Sequence, residues 1–127
     1  MKTLLTILTL TATTVAAETP MTAEEFDEYV TGKIIVFGSE GTPDYGVEHY
    51  MSNQRVRWSA FNGQCLDGVW YYNAPNICFA YDGVDEHQCW EVYATPDGLE
   101  ARHSISGQLI FEGREDPSAL VCGDLFS

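Results

Sequence analysis

From Arg55 to Tyr93 short runs of β-branched and aromatic residues alternate with turn-forming ones, the pattern of consecutive half-buried strands. Ile77–Tyr81 and Gln88–Tyr93 flank the polar connection Asp82-Gly83-Val84-Asp85. Centring that hairpin between Gly83 and Val84 sets Cys78 opposite Cys89, Ile77 opposite Trp90 and Phe79 opposite Gln88. Directly opposed antiparallel residues have Cα atoms roughly 4.5–5.5 Å apart, within reach of a disulfide. Ile77, Phe79, Tyr81, Trp90 and Val92 then share the face turned away from the bridge and form a candidate core. Upstream, Asn62-Gly63 separates Arg55–Phe61 from Gln64–Trp70 and predicts a two-residue type I′ turn, with Val56 opposite Val69 and Ala60 opposite Cys65. Asn73-Ala74-Pro75-Asn76 supplies the next turn.

At the other end, Thr22-Ala-Glu-Glu25 is a capping box between Met21 and Phe26, which occupy hydrophobic-staple positions. Phe26, Tyr29 and Val30 form one apolar helical face, and Gly32 stops the helix. Lys33–Phe37 reads as a strand, Gly38–Gly46 as a polar loop, and Val47–Met51 as a further strand. Leu99–Ile105 and Gln108–Glu112 read as two weaker strands around Ser106-Gly107. The tail from Arg114 to Ser127 is irregular. The expected fold is mainly β: an antiparallel meander sheet or half-open barrel with one short N-terminal helix, stapled by disulfides.

The first 17 residues change the setting. A basic start, a short apolar run and the small-residue end Val15-Ala16-Ala17 form an export signal. Residues 18–127 are then a single β-rich domain in the periplasm or secreted. The signal's apolar run is too short for a comfortable membrane span. In an oxidising compartment four cysteines imply two disulfides. With Cys78–Cys89 set by the hairpin, Cys65–Cys122 is the remaining pair. The chain carries 19 acidic against six basic residues, a formal net charge of −13. That charge opposes nucleic acid and anionic membranes and favours a basic partner.

Motif chemistry is sparse. The sequence has no Gly-x-Ser-x-Gly elbow, His-Glu-x-x-His, P-loop or dinucleotide fingerprint. His49, His87 and His103 are scattered. Cys65, Cys78, His87 and Cys89 do not match a zinc spacing, and Asp82, Asp85 and Glu86 lack the alternating ligands of a calcium loop. No metal or cofactor is expected. Aromatics are abundant in the β region, among them Tyr45, Tyr50, Trp58, Tyr71, Tyr72, Tyr81 and Trp90. Tyr71 and Tyr72 are adjacent and so point to opposite faces. The candidate binding residues are Tyr71, Tyr72 and Trp58, with Arg55 and Arg57 as two of the few cations. The expected partner is a basic protein or a glycan.

The segments MTAEEFDEYVTGK, FG…YGVEHY, QRVRW, C-x-x-G-x-W (Cys65, Gly68, Trp70), ICF-x-Y (Ile77–Tyr81) and QCW (Gln88–Trp90) together resemble a family of small exported proteins of alphaproteobacteria that has no assigned function. The resemblance spans most of the chain after residue 17 but does not extend to the tail around Val121-Cys122-Gly123. It implies a periplasmic or secreted protein and supplies no catalytic residues. The function expected is that of a non-enzymatic binding or accessory module. Inhibition of a basic secreted enzyme such as lysozyme is one alternative, and a hydrolase with an unrecognised site is another. The export reading predicts a mature chain starting at Glu18, which intact-mass measurement of periplasmic or secreted material checks. Recovery of the chain with Met1 from the cytoplasm contradicts it.

Overall fold

The structure, a computed structural model, describes residues 1–11 and 18–123. The expected cleavage site at Val15-Ala16-Ala17 lies outside the described residues. Ahead of it, Leu4, Leu5, Ile7 and Leu8 are exposed, and residues 1–11 form neither helix nor strand. No helix among the described residues is long and apolar enough to cross a membrane.

Helix α1 (Ala23–Val30) is followed by eight antiparallel strands: β1 (Ile34–Ser39), β2 (Thr42–Tyr50), β3 (Arg55–Ser59), β4 (Leu66–Asn73), β5 (Asn76–Tyr81), β6 (Gln88–Thr95), β7 (Gly98–His103) and β8 (Leu109–Glu115). Each strand pairs with the next, and β8 pairs back onto β1, so the sheet is a closed barrel. Closure goes beyond the half-open form the sequence suggested. It gives every strand two neighbours and leaves no exposed edge.

The capping box forms as read. Thr22 Oγ1 accepts from the Glu25 amide at 3.2 Å, and Glu25 Oε1 accepts from the Thr22 amide at 3.0 Å. The helix closes one end of the barrel with Phe26 and Val30, both fully buried. Phe26 stands edge-on to Tyr50, Trp70 and Phe79, with ring centroids 5.7, 5.0 and 6.4 Å away. Such edge-to-face contacts add about 0.5–1.5 kcal/mol each beyond burial. Tyr29 donates to Glu112 Oε1 at 2.7 Å, and the same oxygen accepts from the Leu99 amide at 2.9 Å. One carboxylate therefore ties α1 to β7 and β8. The hydroxyl's bond to Glu112 holds the Tyr29 pKa up at about 12. The N-terminal segment also mends a gap. Strand β6 pairs with β5 only from Gln88 to Trp90, and further along β6 the Val92 carbonyl accepts from the Met21 amide at 2.6 Å.

Register differs from the sequence reading in one hairpin. Val56 faces Gly68 and Arg55 faces Val69, one residue off the expected pairing. Phe61 and Gly63 both take positive φ, and Asn62-Gly63 sits within a wider loop. Opposed residues share a face, so inward Val56 cannot pair with Val69, which is 45% exposed. The predicted loop over Gly38–Gly46 is also overturned. The turn is only Glu40-Gly41, with Gly41 at φ +76°, and β2 begins at Thr42. The hairpin register over Cys78–Cys89 stands as read.

Both disulfides form, Cys78–Cys89 with Cα atoms 4.0 Å apart and Cys65–Cys122 with 5.3 Å. The tail leaves β8 beside β1, where the Asp116 amide donates to the Ile34 carbonyl at 2.9 Å. It ends against the β3–β4 loop, where Gly123 donates to Gly63. This path crosses the outside of β1, β2 and β3. It accounts for Val36, Val47 and Ser59, which are buried although they lie apart from the interior cluster. The bridge closes a separation of 57 residues, for which chain entropy gives about 4 kcal/mol. Denaturant unfolding of the Cys65→Ala/Cys122→Ala double variant checks this. We expect a loss of that order with the barrel intact, and a loss below about 1 kcal/mol contradicts the strap's role.

Candidate functional site

Because strands run alternately up and down, four loops gather at the end of the barrel away from α1: Glu40-Gly41, 60–65, 82–87 and 104–108. Below them Phe26, projecting from α1 at the other end, fills only part of the interior. The remainder is a cavity of about 210 Å³ with Phe26 at its floor. Its wall is aromatic, from Tyr45 and Tyr50 on β2, Trp58 on β3, Tyr81 on β5 and Trp90 on β6. Tyr45 and Trp58 lie 5.9 Å apart between ring centroids, and Phe79 stacks on Tyr81 at 6.2 Å. Gly46 makes room for Trp58, since a Cβ there would overlap the indole carbons Cη2 and Cζ2.

One acidic side chain enters this apolar space. Glu48 points inward from β2, between Ile35 of β1 and Trp58 of β3 in register, and is 2% exposed. Tyr81 donates its hydroxyl to Glu48 Oε1 at 2.7 Å. The other carboxyl oxygen, Oε2, is buried without a partner. Burial raises the Glu48 pKa from 4.5 to about 8, against the smaller lowering influence of the Tyr81 hydrogen bond. At neutral pH the group is therefore a neutral acid. With Tyr81 donating to Oε1, the proton resides on Oε2. Burial, followed by the charge of Glu48, drives Tyr81 and Tyr50 well above the usual phenol range, so both stay protonated.

At the mouth, Gln88 links the cavity to the loops. Its Oε1 lies 2.9 Å from His103 Nε2, and His103 Nδ1 accepts from the Ile105 and Ser106 amides at 3.3 and 3.2 Å. The imidazole therefore carries its proton on Nε2 and donates to Gln88. Its ring also stands edge-on to Trp90 at 4.8 Å. His103 thus anchors the 104–108 loop beside the opening.

The sequence-derived candidates do not converge. Trp58 alone lines the cavity. Tyr71 lies on the outer face, its hydroxyl 2.7 Å from His87 Nδ1, and Tyr72 is exposed at the closed end of β4. Arg57 pairs with Asp67 at 2.6 Å on the surface, and Arg55 lies two residues along the same outward face. Sequence reasoning missed Glu48. The signal was an acid inside the strand read over Val47–Met51, but apolar Val47 beside it gives alternation no reason to turn Glu48 inward. Compared with family models, curated proteins and solved structures, the chain matches none.

The Glu48 pKa makes stability depend on pH. Between 4.5 and about 8 the folded chain keeps a proton that the unfolded chain has lost. Stability therefore falls as pH rises through that window, by at most about 1.4 kcal/mol per pH unit, and the slope vanishes above the folded value. Glu48→Gln keeps an acceptor for Tyr81 and cannot ionise. Urea unfolding at pH 5, 6.5 and 8 is expected to show the variant gaining on the wild type as pH rises. Parallel profiles contradict a protonated Glu48.

Proposed function

We propose that the chain works outside the cytoplasm, in the periplasm or as a secreted protein, as a non-enzymatic binding or accessory module that holds a small, mostly apolar molecule in the open half of its barrel. The observation that carries this is the aromatic-walled cavity with one unsatisfied polar atom, Glu48 Oε2, inside it. Ligand sites are mainly apolar with a few placed polar groups. A buried polar atom without a partner costs about 1–3 kcal/mol, which a ligand's hydrogen bond relieves. The volume of about 210 Å³ lies below the roughly 300–1,000 Å³ of drug-sized sites, so the occupant is small. Both disulfides fit an oxidising compartment. A glycan would need more hydrogen-bonding partners than Glu48 and Gln88 offer in the interior.

A second reading has its own support. The β5–β6 loop, residues 82–87, is exposed throughout and carries Asp82, Asp85 and Glu86. Such an acidic tip suits docking to a basic secreted enzyme such as lysozyme, with rates that fall as salt rises. Inhibition weakened by Asp85→Asn/Glu86→Gln would favour this use.

The interior reading is tested by filling the cavity. Ala101 is buried on β7 and lines it. Titration of wild type and Ala101→Phe with indole and 2-phenylethanol, followed by tryptophan fluorescence, is expected to show saturable quenching lost at least about tenfold in the variant. Equal quenching in both removes the interior site, as does the absence of quenching by these probes and by 2-phenylethylamine.

A further inference from the structure

Resting on the interior-binding reading, we propose that the cavity's occupant is a small organic cation, an amine on an aromatic or aliphatic body, whose ammonium group is taken by Glu48 within the aromatic wall. Three independent features point to this chemistry. The first is Glu48 Oε2, nine-tenths or more buried, lining the cavity and lacking a partner. An ammonium group gives it a donor and a counter-charge at once. The second is the set of rings around it, Tyr45, Tyr50, Trp58, Tyr81 and Trp90, whose faces attract cations more strongly once water is excluded. The third is the rim. The four loops around the opening hold Glu40, Asp82, Asp85 and Glu86 and neither lysine nor arginine. Charge of one sign around a low-dielectric cleft raises the local concentration of the opposite ion.

Among the described residues lining the cavity, Glu48 is the one carboxyl group. Facing it are Tyr81 from β5 and Tyr45 and Tyr50 from β2, with neutral Gln88 from β6, and among the described residues no lysine, arginine or histidine lines the space. In the wall nearby, Arg57 and Arg102 are outward, the first paired with Asp67 and the second opposite Glu91 in register. At the rim, His87 is engaged with Tyr71 and His103 with Gln88.

The exchange balances simply. Glu48 Oε2 releases its proton to solvent as the ammonium enters, and the carboxylate keeps the Tyr81 hydrogen bond on Oε1. A neutral ligand has the opposite dependence, since its acceptor needs the Oε2 proton. Calorimetry with 2-phenylethylamine and its neutral isostere 2-phenylethanol separates the two. At pH 8 the amine is expected to bind at least tenfold tighter than the alcohol. Its affinity should rise from pH 6 toward 8 by up to about tenfold per pH unit, with proton release to the buffer. Glu48→Gln, checked for folding by circular dichroism, should abolish both the preference and the slope. The wild-type pH profile stands without that variant. An alcohol that binds as tightly as the amine, with both lost in Ala101→Phe, overturns the cation and leaves the interior site. Binding of neither overturns both.

Discussion

The pairing of β8 with β1 is the constraint from which the rest follows. Once those strands meet, the sheet has an inside, and each strand must send every second residue there. Eight short strands enclose more space than their own side chains fill. The chain answers at one end with α1, whose Phe26 serves as a plug among Tyr50, Trp70 and Phe79. At the other end it leaves room. The cavity is thus a consequence of closing the barrel with a single two-turn helix at one end, whose Phe26 side chain fills only part of the interior.

Placing Glu48 in that room is costly to the fold. A leucine there would bury cleanly, whereas the carboxyl is desolvated and retains an unpaired oxygen. Its one partner is Tyr81, itself stacked on Phe79, so the acid is held in a fixed pose by a residue that the core fixes in turn. The arrangement resembles other places where local stability is given up for chemistry, since an unsatisfied buried group invites an explanation beyond packing.

Much of the fold was legible because its signals are local. The capping box at Thr22 and Glu25, the turns at Asn73–Asn76 and Asp82–Asp85, and the facing cysteines 78 and 89 each depend on residues close in sequence. The signals that failed depend on distant ones. Val47 is buried on the outside of the barrel because a tail some seventy residues later, as the chain runs from β2 to Cys122, crosses over it. Its apolar character therefore advertised the wrong face of β2 and hid Glu48. Asn62-Gly63 was read as a tight turn, but which of Gly68 and Val69 faces inward is decided by β5, whose Ala80 carbonyl leaves no space for a side chain at Gly68. Trp58 was named a candidate binding residue without a place, and it is the missing side chain of Gly46 that lets its ring lie within the barrel.

The ladder between β5 and β6 consists of Ile77–Trp90, Cys78–Cys89 and Phe79–Gln88, as short as any in the barrel. The disulfide lies at its middle pair. Hydrogen bonding there is thin, and beyond Trp90 the neighbour of β6 is the N-terminal segment at Met21 instead of a strand. The bridge is a rivet through a seam. In a reducing environment this seam is held by three residue pairs without a bridge, and parting there turns a closed barrel into a curved sheet. Two strands rich in Ile, Phe, Trp and Val would then present bare edges, the template on which β proteins associate into aggregates. Oxidation of this one pair thus also protects against self-association, and the time between synthesis and bridge formation is when the chain is most in need of that protection.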